Sequence, residues 1–183
     1  MEPNPLLTPE TIARLKKHAE PLVDTVDSVV NRAVDALETL NGGGPPPLVS
    51  AIKLANPAAP PNLSYTTVRS IVLNGKHFPQ NETYWNLLLL AVIRIASKKV
   101  SKEKLNDLVI CNHASGKKEK DGYKYLGDDV GISVQGQDAN GAWKATYHIV
   151  KALKIPVEVE FRWQENPKAS APGEHAKFLV EWK

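Results

Sequence analysis

Between Arg94 and Lys124 the chain carries nine basic side chains: Arg94, Lys98, Lys99, Lys102, Lys104, Lys117, Lys118, Lys120 and Lys124. Against them stand Glu103, Asp107, Glu119 and Asp121, a local excess of five positive charges. The segment from Gly116 to Tyr125 sets Lys117, Lys118, Lys120 and Lys124 on a glycine-bounded loop with Tyr123 and Tyr125. Ammonium groups neutralise phosphates and aromatic faces stack on bases, so this composition suits nucleic acid. Lysine lacks the fixed fork of arginine, which points to backbone contact rather than base reading. The bland alternative is a solvated lysine-rich loop.

A second cluster follows at Gln135, Gln137, Asp138 and Asn140, a strand-to-helix turn dense in amides. Paired amides match adenine edges, and a helix N-terminus favours a phosphate. Capping by Asp138 and turning by Gly136 explain the same residues without a ligand. Lys117, Lys118, Lys120, Tyr123, Lys124, Gln135, Gln137 and Asn140 are therefore the candidate nucleic-acid contacts.

Other chemistries have less support. Cys111 and His113 are close in sequence, but no second pair follows at zinc-ligand spacing, and His18, His77, His148 and His175 are scattered. No phosphate-cradling glycine loop is present. A magnesium-dependent nuclease of the restriction type would need Asp128 or Asp129 with Glu158 or Glu160, yet Glu160-Phe161-Arg162 has arginine where that family's pattern has lysine. No catalytic residue, metal or cofactor is expected. A protein-interaction adaptor is the other reading, drawn from the aromatic set Trp143, Tyr147, Trp163 and Trp182, and favoured if Trp163 and Trp182 form one exposed patch.

These residues must be positioned by elements. Thr66–Leu73 is β-branched and reads as a strand, with Asn74-Gly75 turning it back through Lys76-His77-Phe78. Tyr84–Ser97 is apolar nearly all round and should be the buried helix. A short helix from Ser101 to about Val109, a strand over Val130–Gln135 and a helix from Asp138 to Leu153 come next. Val157–Trp163 and Lys177–Trp182 complete an antiparallel pair. This order predicts an α+β domain over 65–183, a small antiparallel or mixed sheet with helices on one face.

The 183 residues bear a net charge of +3, which conceals a division. Residues 1–40 hold four basic and seven acidic side chains; residues 65–183 hold 18 and 13. Between them, 41–64 has six prolines, three glycines and one charge, Lys53, and reads as a Pro/Gly-rich linker. A long loop within one domain is the competing interpretation. One cysteine, no signal-like start and no membrane-length apolar run predict a cytoplasmic protein without membrane association.

In 1–40, Thr8-Pro9-Glu10 opens a helix with Ile12, Leu15 and Ala19 on one face, and Pro21 closes it. Val26, Val29, Val30 and Val34 give a second apolar face. The stretch from Thr8 to Val34, with Asp24-Thr25-Val26-Asp27-Ser28 and Val29-Val30-Asn31-Arg32, resembles the SeqA-like ribbon-helix-helix dimerisation module. That resemblance implies a helical pair and a homodimer through Ile12, Leu15, Val26, Val29, Val30 and Val34. Asn4-Pro5-Leu6-Leu7 lacks the donors of a DNA-reading ribbon, so only dimerisation is implied. Trp85-Asn86-Leu87-Leu88, Gly122-Tyr123-Lys124-Tyr125 and Ile132 to Ala139 resemble small bacterial proteins that accompany restriction-modification or phage-defence genes. The expectation is a dimeric, non-enzymatic, DNA-associated bacterial protein.

Overall fold

A computed structural model describes residues 8–16, 29–30, 33–34 and 52–182. The chain divides between residues 49 and 50 into two units.

In the first unit, α1 (Pro9–Lys16) begins as its sequence requires. Thr8 Oγ1 accepts from the backbone N–H of Thr11 at 3.2 Å, and Pro9 takes the first helical position. Positions 29, 30, 33 and 34 are also helical. The expected ribbon-helix-helix pair over 1–40 is corrected: among the described residues α1 is the one complete N-terminal helix, and no helical pair is formed. Amphipathic spacing alone does not specify which element an eight-residue helix packs against.

The second unit contains eight strands and three α-helices. β1 is Lys53–Leu54, β2 Thr66–Leu73 and β3 Lys76–His77. A 3₁₀ turn at Gln80–Glu82 leads into α2 (Trp85–Ser97), then α3 (Lys102–Leu108). β4 (His113–Ser115), β5 (Tyr123–Tyr125) and β6 (Ile132–Gln135) precede α4 (Ala139–Leu153). β7 (Val157–Trp163) and β8 (His175–Val180) finish the chain. Among the described residues no helix is long and apolar enough to cross a membrane.

The single small sheet of the sequence reading is corrected to two. One is five-stranded and mixed, in the order β1-β8-β7-β2-β3, with β1 parallel to β8 and the other neighbours antiparallel. The second is antiparallel, in the order β4-β6-β5. Three-residue strands such as His113–Ser115 and Tyr123–Tyr125 are too short to show alternation, so they read as loop.

Alternation along β7 buries Val157, Val159, Phe161 and Trp163 and leaves Glu158, Glu160 and Arg162 half-exposed. The buried row meets α2 and α4. Trp85 of α2 lies 5.4 Å from Phe161 and 6.0 Å from Trp143 of α4, which stacks on Phe178 of β8 at 4.3 Å. The β2–β3 hairpin turns through Asn74 and Gly75, both at positive φ (51° and 77°), the backbone a two-residue hairpin needs.

The linker expectation is corrected over its described part. Lys53–Leu54 joins the five-stranded sheet, and Leu63 is fully buried. The indole N–H of Trp143 donates to the carbonyl of Pro57, and that of Trp163 to the carbonyl of Asn62. An extended proline-rich chain makes few bonds with itself, so its carbonyls are available to buried indoles.

Candidate nucleic-acid interface

The lysine loop is held on the three-stranded sheet by one buried side chain. Ser133 of β6 accepts from the N–H of Lys118 at 2.8 Å and donates to the carbonyl of Gly116 at 2.7 Å. Gly116 and Gly122 bound the loop at positive φ, 74° and 75°. Within it, Lys117 pairs with Glu119 at 3.2 Å and Lys118 with Asp121 at 3.5 Å. The Lys118 ammonium also sits 3.8 Å from the centre of the Tyr123 ring, covering the face that would stack on a base.

β-Strand alternation separates the predicted lysines. Tyr123 lies opposite Gln135, and Lys124 opposite Val134, so the two β5 side chains occupy opposite faces of the small sheet. Lys117, Lys118 and Lys120 belong to the loop beside Tyr123. Lys124 faces the other way and lines one groove together with Arg94 of α2.

The amides are engaged in holding the fold. Gln135 donates to the carbonyl of Asp121 and accepts from Asn112 Nδ2. Gln137 donates through its side chain to the carbonyls of Gln135 and Gly136, and its backbone forms a two-bond clamp with the Asn86 amide. Asn140 accepts from the N–H of Leu63 and donates to Asn62 Oδ1 and Ser64 Oγ. Asp138 caps α4 through the N–H of Gly141 at 2.6 Å. The sequence cluster thus gathers at one turn, but its hydrogen bonds run inward.

The dimerisation residues are located differently. Val29 is buried, Val30 half-buried and Val34 exposed. Ile12 and Leu15 lie on α1, while Val26 falls outside the described residues.

The nuclease carboxylates are not assembled. Glu158 and Glu160 flank Lys177, whose ammonium is 2.6 Å from the first and 3.7 Å from the second. The hydrogen bond to Glu158 raises the Lys177 pKa, so the ammonium stays between them. Asp128 accepts from the Tyr125 hydroxyl in the turn between β5 and β6. Among the described residues no three His, Cys, Asp or Glu groups could share a metal ion. Burial raises the pKa of Cys111, which disfavours the thiolate a nucleophile requires. The tryptophan patch of the adaptor reading is also missing: Trp143 and Trp163 are buried, and only Tyr147 and Trp182 are half-buried.

Sequence reading missed the groove itself. It has a volume of about 420 Å³ and lies among Lys76, Phe78, Glu82, Leu87, Arg94 and Lys124, which come from four stretches of chain. Its one sequence signal was an α2 apolar on too many sides for a single buried face. Comparison with family models, curated proteins and solved structures returns no match.

Proposed function

We propose that residues 50–183 form a non-enzymatic DNA-binding body that grips the phosphate backbone through the basic stretch from Arg94 to Lys124. One observation carries the reading. Of the nine basic side chains there, only Lys117 and Lys118 make an ion pair among the described residues, each with an exposed carboxylate on its own loop. Exposed pairs of that kind contribute little, so a phosphate can replace them. Arg94, Lys98, Lys99, Lys102, Lys104, Lys120 and Lys124 make no ion pair among the described residues, Lys102 acting only at a distance on Glu103, which leaves their charge available to a polyanion. The inward-facing amides of Gln135, Gln137 and Asn140 favour binding that is indifferent to sequence.

The same reading makes the protein a cytoplasmic dimer acting in a bacterial restriction-modification or phage-defence setting. The resemblance of the 85–88, 122–125 and 132–139 stretches supports that setting, and the apolar positions of residues 1–40 support the dimer.

A salt titration with duplex DNA tests backbone binding. The logarithm of affinity should fall linearly with the logarithm of salt concentration, and each lysine that meets a phosphate should contribute about 0.9 to the slope. Changing Lys98, Lys99, Lys120 and Lys124 together to glutamine should flatten that line. No binding at low salt, or a slope untouched by the four changes, overturns the proposal.

A further inference from the structure

The groove beside Arg94 is built differently from a surface that only attracts phosphates. Its floor is apolar: Phe78 after β3, and Leu87, Leu90 and Ala91 along one side of α2, all half-buried. Its rim is basic, with Lys76 from the hairpin, Arg94 from α2 and Lys124 from β5, all exposed. Arg94 is fixed in place by donating to the carbonyl of Leu126 at 2.6 Å, and its remaining N–H groups are free to donate elsewhere. One carboxylate, Glu82, completes the lining, placed by the 3₁₀ turn in which its N–H bonds the carbonyl of Pro79.

A fatty acid would match the floor and the cations but would give Glu82 nothing to accept. Inorganic phosphate would leave the floor in water. A nucleotide satisfies all three features, because it joins a flat apolar face, a phosphate and an edge of N–H donors. The volume, about 420 Å³, is that of a small-ligand site. We propose that the groove holds one unstacked nucleotide. The base lies on Phe78, Leu87 and Leu90, the phosphate sits among Lys76, Arg94 and Lys124, and Glu82 accepts from an exocyclic amino group. A carboxylate accepts from the amino group of cytosine and faces only oxygen at the matching place in uracil, so the groove prefers amino-bearing bases. The inference shares Arg94 and Lys124 with the backbone-binding reading and otherwise stands apart from it.

The test titrates the full chain with CMP, UMP and inorganic phosphate, followed by calorimetry. CMP should bind about tenfold more tightly than UMP, the size of one base-edge contact, and both more tightly than phosphate. Glu82→Gln should remove the preference for CMP while leaving UMP binding in place. Ala91→Tyr fills the floor without altering charge and should abolish nucleotide binding; Lys76→Gln, on the exposed hairpin, should weaken CMP and UMP alike. CMP binding no tighter than phosphate overturns the proposal, as does a CMP preference that survives Glu82→Gln. Duplex DNA is titrated in parallel: DNA binding without CMP binding removes the groove and keeps the backbone reading, and CMP binding without DNA binding does the reverse.

Discussion

Ser133 is fully buried, and its hydroxyl serves two backbone groups of the lysine loop, the N–H of Lys118 and the carbonyl of Gly116. Ser133→Ala removes both partners and leaves two backbone groups unmatched. The expected loss is about 1–3 kcal/mol in urea unfolding, with faster hydrogen exchange at Lys118. Unchanged exchange there would show that the loop is held by something else. His175 of β8 gives a second residue-level test. Burial lowers the pKa of its imidazole from 6.5, Arg162 and Arg69 lower it further, and Glu160 opposes them. The unfolded chain therefore takes up its proton first as pH falls through 6.5, and stability declines from there until the folded form is protonated as well. Above that range His175 adds no pH dependence. His175→Gln should flatten the decline that begins as pH falls below 6.5, measured as the urea midpoint against pH.

At the scale of elements, α4 ends on Lys154 in the left-handed conformation, φ 51° and ψ 48°, with its N–H bonded to the carbonyl of Val150. A side chain is disfavoured in that geometry and glycine is not, so Lys154→Gly should raise stability by about 1 kcal/mol with the urea slope unchanged. The elements also show what was legible beforehand. β7 and α4 were readable because each buries one face at a regular period: Val157, Val159, Phe161 and Trp163 alternate without interruption. β2 was readable from its β-branched residues instead, since a bulge between Val68 and Ser70 breaks its alternation. The Asn74-Gly75 turn was readable because its backbone admits few residue types. β1, β4 and β5 were not, since two or three residues carry no period and their pairing is decided by distant strands. The lysines of the site were visible as composition, but the groove was not. Lys76, Phe78, Glu82, Leu87, Arg94 and Lys124 meet only after the hairpin, α2 and β5 have packed, and nothing local encodes that meeting.

The whole molecule joins an acidic first unit to a basic second one. Residues 50–183 contain the buried aromatic cluster of Trp85, Trp143, Phe161 and Phe178 and should fold as a chain beginning at Ser50. If residues 1–49 join two copies, the full chain elutes with the mass of a dimer and the shorter chain with that of a monomer, while both show the same unfolding transition for the second unit. Affinity then separates the two forms. Tethering two basic bodies makes the second contact intramolecular, so on a duplex long enough for both, the full chain should bind about 10² to 10⁴ times more tightly than the shorter one. On a duplex that admits one body the two should be equal. A full chain that elutes as a monomer, or that shows no gain on the long duplex, removes bivalence from the mechanism and leaves the basic stretch and the groove to be judged on their own titrations.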